Sequence, residues 1–271
     1  MKKHLSTIIF VGIFLIGLFV LLYPHVSRWY NKRISSYAVS NYDNDIATKS
    51  EEDLSHIFER ADEYNKNLLS KPISYTQSEE EEKDYMSQLS LSDKNEMIGY
   101  IEIDKIDLKL PIYHGTSPAV LQEGIGHLEW TSLPIGGIGN HSVLTGHRGL
   151  PTAKLFTNLD KLVIGDVITV KILNRTLYYE VKDTVIIEPS ELNRLRPDKE
   201  KDLVTLVTCT PYGVNSHRLL INCERTDDKD GNVTIIDSDA SIVNPYIVSV
   251  LIIIVFLLIT FVINIIKKRR E

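Results

Sequence analysis

Two apolar runs frame the chain, and the pattern between them changes twice. Leu5 to Leu22 is about 18 residues without a charge, and Tyr246 to Ile266 is about 21. Both are long enough to cross a bilayer as helices. The first is long for the apolar part of a signal peptide and no clear small-x-small site follows it, so it reads as an uncleaved anchor. From Tyr30 to Leu69 the chain is polar with apolar residues at helical spacing, and Leu54, Ile57, Phe58, Ala61, Tyr64 and Leu68 share one face. Ser50 followed by Glu51, Glu52 and Asp53 predicts the start of that helix, with acids in its first turn. It serves as a stalk, as a helix packed on a sheet, or partly as each. Ser70 to Gln77 is a break, and Ser78 with four glutamates behind it predicts a second helix.

From Met97 the period becomes two. Ile98–Ile103 and Leu108–Tyr113 alternate, and Ser142–Thr145, Val167–Leu173, Leu177–Val181, Val185–Glu188, Leu203–Thr208 and Arg218–Cys223 complete about eight short strands. Val120–Glu123 and Lys154–Leu159 read as helical turns. Many short strands separated by turns predict a mainly β domain closed into a barrel. The pattern divides the chain into a stub and anchor (1–23), a helical stalk (24–96), a β domain (97–225), a polar linker (226–245) and a second span with a basic tail (246–271).

Charge sets the expected orientation. Lys267, Lys268, Arg269 and Arg270 follow the second span, so the C-terminus is inside; with two spans the N-terminus is inside too and the β domain is extracellular. Six basic residues and one acid in the terminal tails account for +5 of the formal −6, leaving −11 on the rest. So acidic a domain is a poor nucleic-acid binder and suits protein or peptide partners. The sequence holds no CxxC, HExxH, EF-hand or phosphate-loop pattern, so no metal or cofactor is expected and the chemistry rests on side chains.

The candidate chemistry lies in Thr205 to Ile221. Cys209 ends a β-type run; Pro211, Gly213 and Asn215 break it; the strand pattern resumes at Arg218. Antiparallel pairing across that turn sets the thiol beside the guanidinium. A cation there favours a thiolate and can hold a developing oxyanion. A disulfide to the other cysteine, Cys223, is excluded if Cys209 faces Arg218. Cys223 is then about five residues, on the order of 16 Å, further along the strand, against a limit of about 7 Å between Cα atoms. For an acid/base partner, His147 follows a short β run and enters a Gly-rich turn. His217 alternates to the other sheet face if Arg218 faces Cys209. His127 and His141 are weaker candidates, and His4, His25, His56 and His114 read as solvated or structural.

Thr-Leu-Val-Thr-Cys (205–209), Arg218 nine residues on and the upstream Thr-Gly-His (145–147) together resemble a sortase, a cysteine transpeptidase of Gram-positive cell surfaces. Gly126–Pro134, His147–Pro151 and Cys209–Tyr212 are similar to the pilus-assembling subgroup, class C. The resemblance covers roughly Met97 to Arg225. It implies a sortase-type eight-stranded barrel, a plasma-membrane location, and catalysis by Cys209, His147 and Arg218. It also implies cleavage of a Leu-Pro-x-Thr-Gly-like signal through a thioester and transfer to a pilin lysine. Anchoring of surface proteins to a peptidoglycan cross-bridge and a non-catalytic, membrane-tethered binding module are the alternatives. Class C enzymes carry a lid with an Asp-Pro-aromatic motif before the barrel. Here Lys71 and Ile73 flank Pro72 in its place, so Ser70–Gln77 is expected to be a loose plug or a plain linker.

Overall fold

The structure is a computed structural model describing residues 2–72, 74–91 and 97–227. The expected second span at 246–266 and nearly all of the 226–245 linker lie outside the described residues. The chain divides between Ser27 and Arg28 into an apolar unit and a barrel unit. Among the described residues, Phe10–Ala47 is the one helical stretch long and apolar enough to cross a membrane. Its most apolar window has a mean hydropathy of 2.1, with none of it buried.

Helix α1 (Lys2–Ala47) continues into the barrel unit, where it buries Ser35, Val39 and Tyr42, the spacing of one helix face. Tyr42 is the anchor: its hydroxyl donates to Ile98 O at 2.7 Å and accepts from Leu173 N at 2.9 Å. Helix α2 (Glu51–Ser70) starts as its sequence predicts. Ser50 Oγ accepts from Asp53 N, and the Asp53 carboxylate accepts from Ser50 N, a capping box. Its apolar face is buried in the same core as the barrel at Leu54, Phe58 and Ala61. Full burial of a side chain such as Leu54 or Phe58 stabilises by about 1.5–3 kcal/mol. The predicted face also carries a polar residue, Asn65, whose amide donates to Leu133 O and accepts from Leu133 N at 2.7 Å. Helix α3 (Glu79–Ser87) has a second capping box, Ser78 with Glu81, and buries Tyr85.

Among the described residues eight strands follow: β1 (Met97–Ile103), β2 (Leu108–His114), β3 (Ile125–His127), β4 (His141–Thr145), β5 (Val167–Ile172), β6 (Arg175–Ile187), β7 (Leu203–Thr210) and β8 (His217–Thr226). A short helix, α4 (Pro118–Glu123), joins β2 to β3. The strands close into a barrel in the order β1-β2-β3-β4-β7-β8-β6-β5. Pairing is antiparallel except at β2–β3 and β4–β7. The expected number of strands is reached by two departures that offset each other. The predicted Leu177–Val181 and Val185–Glu188 are one strand, β6, because Lys182, Asp183 and Thr184 stay extended and exposed across a bulge. Strand β3 has only three residues, one of them Gly126, too short to leave a periodic signal.

Side chains alternate across the barrel wall. Val204, Leu206, Leu219, Ile221 and Cys223 enter the main core. Val143, Val207 and Leu220 belong to a second apolar cluster with Leu128, Trp130, Ile187 and Leu195, on the other face of β4, β7 and β8. That outer face is the one on which the site is built.

Candidate active site

Cys209 and Arg218 are direct partners in the β7–β8 ladder. Cys209 keeps parity with Val207, and Arg218 with Leu220, so both stand on the outer face; Cys223 shares parity with Ile221 and lies in the core, opposite Val204. Both cysteines are free, Cys209 half-buried and Cys223 buried. Burial pushes the Cys223 thiol far above its usual range, so it is inert.

His147 reaches the same place by the parallel β4–β7 pairing. Thr145 lies opposite Val207, Gly146 N donates to Val207 O at 3.1 Å, and Thr208 Oγ1 donates to Gly146 O at 2.7 Å. Those bonds carry the register past the end of β4, and the next residues on the two chains are His147 and Cys209. Gly146 is required by packing. A Cβ there would lie 2.7 Å from Ile125 Cδ1 and 2.9 Å from Phe156 Cδ2. The three candidate residues thus meet at one end of β4, β7 and β8.

Arg218 Nη1 donates to Asn215 O at 3.2 Å and to His217 O at 3.0 Å, which holds its guanidinium against the β7–β8 turn. His217 lies opposite Thr210, is exposed, and hydrogen-bonds Ser216 Oγ through Nδ1. The two weaker histidine candidates are structural. His127 is enclosed, with Nε2 donating to Ser132 O and Nδ1 accepting from Tyr85 OH, each at 2.9 Å. His141 begins β4, at the other end from His147, and bonds Arg196 O and Thr205 Oγ1.

A residue that sequence reading passed over locks the site together. Arg148, next to His147, is buried; its Nη1 donates to Thr210 Oγ1 at 3.2 Å and its Nε to Thr157 O, while Nη2 pairs with Asp160 at 3.0 Å. One guanidinium therefore ties the His147 loop to the residue after Cys209. Tyr212 reinforces the contact: Arg148 lies over its ring, and Gly149, at φ +80°, sits where a Cβ would come within 3.0 Å of it. The adjacency of Arg148 to His147 is visible in the sequence; its burial against Asp160 is not.

The 70–77 segment is attached at Trp130, which belongs to the outer apolar cluster. Tyr75 packs edge-on against Trp130, ring centroids 4.9 Å apart, and Gln77 donates to Glu129 O at 3.2 Å. Lys71 pairs with Glu81 rather than with a group on β7 or β8. A cavity of about 310 Å³ lies beside Trp130 between this segment and His141.

The family described as "Sortase domain" matches residues 101–226. Sortase C1 of Streptococcus agalactiae is 49% identical, with a TM-score of 0.69, over 71% of this chain and 100% of that one. Sortase C of Clostridium perfringens, solved with the C-terminal cell wall sorting motif, is 39% identical, with a TM-score of 0.61, over 72% of this chain and 100% of that one. Among curated proteins, sortase A of Staphylococcus aureus is 27% identical over 219 residues, 78% of this chain and 91% of that one. On the 49% identity over the whole of the S. agalactiae chain and the barrel beneath it, the chain belongs to the sortase family of cysteine transpeptidases, with class C sortases among its close structural neighbours.

Proposed function

We propose that Cys209, His147 and Arg218 are the catalytic groups, and that the enzyme polymerises pilin subunits from the outer face of the plasma membrane. The observation that carries this is the direct opposition of Cys209 and Arg218 on one sheet face, at the strand end that His147 enters from β4. The Cys209 sulfur, deprotonated, attacks the carbonyl carbon of the Thr–Gly bond in a Leu-Pro-x-Thr-Gly-like signal. Arg218 holds the oxyanion; Nη2 and Nε remain for it while Nη1 is engaged by the turn carbonyls. As the tetrahedral adduct collapses, the C–N bond breaks and His147 gives a proton to the departing glycine amine, leaving a thioester on Cys209. A lysine ε-amine of the next pilin then loses a proton to His147 and attacks the thioester. The new isopeptide bond forms and the thiolate leaves. The sorting motif bound in the C. perfringens relative supports this substrate class.

Membrane attachment by the Leu5–Leu22 run, both termini inside and the barrel outside, belongs to the same reading. It is tested by alkaline carbonate extraction, which leaves a spanning chain with the membrane. The chemistry is tested by mass spectrometry of the enzyme with a sorting-signal peptide. The wild type gains the acyl mass on Cys209 and passes it to an added lysine amine; Cys209→Ala does neither while keeping its fold. A Cys209→Ala protein that still joined substrates would end the scheme. Exclusive transfer to a cross-bridge amine would make the enzyme a cell-wall anchoring sortase instead.

A further inference from the structure

A cavity of about 260 Å³ lies in the barrel unit, between the stretch of α1 that begins at Arg28 and the barrel end made by the β1–β2 connection and the loop after β4. Its inner wall is apolar: Leu108 and Leu155 are buried there, and Ile106 and Leu110 pack against the core. Its rim is basic. Arg28, Lys32, Lys109 and Lys154 line it against two acids, Asp107 and Glu123, a surplus of two positive charges. That is the reverse of the −11 carried by the chain outside its terminal tails. Lys32 pairs with Asp107 at 3.1 Å in a largely solvent-facing contact, and Lys109 with the half-buried Glu102. A pair as exposed as that of Lys32 is weak, so this lysine can turn to a stronger anion, and Lys109 presents its charge on the same rim.

Two further observations name the occupant. Trp29 lines the cavity and is 65% exposed, and its neighbour Tyr30 is 58% exposed. Amphipathic aromatics beside basic residues are the side chains a protein presents at the level of lipid headgroups. Arg28 follows Leu22, the end of the apolar run, by six positions, a reach of at most about 20 Å of chain. A free inorganic anion has no use for the apolar wall, and an acyl chain alone has no use for the basic rim. A phosphoglyceride matches both, with its phosphate on the lysines and its glycerol and first methylenes against the leucines.

We propose that this cavity binds an anionic phospholipid of the bilayer that holds the Leu5–Leu22 run, a second and non-covalent attachment of the barrel unit to the membrane. The inference rests on the membrane-anchor reading given above. The test uses the full-length protein, delipidated in neutral detergent and titrated with short-chain phosphatidylglycerol, phosphatidylcholine or inorganic phosphate, with bound lipid counted by native mass spectrometry. Phosphatidylglycerol is expected to bind roughly thirtyfold more tightly than phosphatidylcholine, the scale set by a surplus of two cations facing an anionic lipid. Lys109→Gln with Lys154→Gln is expected to cancel that preference. Lys66→Gln with Lys199→Gln, an equal charge change elsewhere, is expected to retain it. Equal binding of the two lipids, or an unchanged preference in the Lys109/Lys154 variant, overturns the proposal. So does displacement of the lipid by an equal concentration of inorganic phosphate, which would mark a free-anion site. Lys109 and Lys154 lie outside α1, so carbonate extraction of the same variants reads the anchor alone. Release from the membrane by carbonate fails the anchor reading; retention without a lipid preference fails only this proposal.

Discussion

The two histidines nearest Cys209 in sequence and in register make opposite predictions. His217 opposes Thr210 and is exposed with Ser216 as its partner, whereas His147 follows the Gly146–Val207 and Thr208–Gly146 bonds that end the β4–β7 ladder. His147→Gln is therefore expected to lower transpeptidation by roughly 10²–10⁴-fold, the usual worth of a general acid–base group. His217→Gln should keep most of the activity; equal losses in a peptide-transfer assay would refute the parity argument. Arg148 makes a different kind of loss. Removing a buried cation that is paired with Asp160 and bonded to Thr210 leaves a carboxylate without its partner, a change that typically costs about 3–5 kcal/mol. Arg148→Ala should unfold at markedly lower denaturant concentration than the wild type, whereas His147→Gln should not. The contrast between these neighbours marks what the sequence carried at this scale. A strand ending in cysteine, a turn, and a strand beginning with arginine fix each other's register through a period of two, so the Cys209–Arg218 pair was legible. Arg148 was not, because an arginine beside a histidine looks the same in sequence whether it is solvated or enclosed.

Elements follow the same division. Ser50 with Asp53 and Ser78 with Glu81 announce α2 and α3, because a capping box is a local bond between residues three apart. The barrel strands announced themselves by alternation, except where the alternation was cut by polar residues in β6 or was too short to exist in β3. The 70–77 segment has no period and no motif, and only tertiary structure says where it goes. Among the described residues, Tyr75 packs on Trp130, Gln77 bonds Glu129 and Tyr64, and Lys71 pairs with Glu81. None of these contacts is with Cys209, His147 or Arg218, and a segment held largely by exposed polar contacts and one ring contact belongs to the less stable part of a fold. Cys209 is accordingly expected to react readily with a small thiol reagent in the resting enzyme, and deletion of 70–77 should raise that rate only a few-fold. The buried Cys223 does not contribute to the signal. A large acceleration on deletion would show that the segment closes the site.

For the molecule as a whole, acid is the condition that separates folded from unfolded. Burial pushes the pKa of His127 down from 6.5 to about 4; its bond to Ser132 O opposes that, and the nearby His114 adds to it. Burial lowers His141 as well, against the opposing bond to Arg196 O. In the unfolded chain both rings titrate near their ordinary value of about 6.5. Between about pH 6.5 and 4 the unfolded chain therefore binds protons that the folded chain refuses, and stability falls as pH falls through that window. At about 1.4 kcal/mol per pH unit, His127 alone sets a loss of about 3 kcal/mol, complete near pH 4. Asp53 and Glu81, held low by their hydrogen bonds to Ser50 and Ser78, continue the loss below the window. Asp202, raised by burial, works in the opposite direction as it takes up its proton. The position of His127 decides what the loss would loosen. Its ring joins Tyr85 of α3 to the chain leading from β3 to Trp130, through Tyr85 OH on one side and Ser132 O on the other. Thermal unfolding followed by calorimetry should therefore show a melting temperature that drops steadily from pH 7 to pH 4.5. His127→Asn, less stable than the wild type at pH 7, should show a shallower drop because it has one fewer proton to refuse. A wild-type melting temperature that stayed level across that window would mean that the buried rings take up protons without cost to the fold.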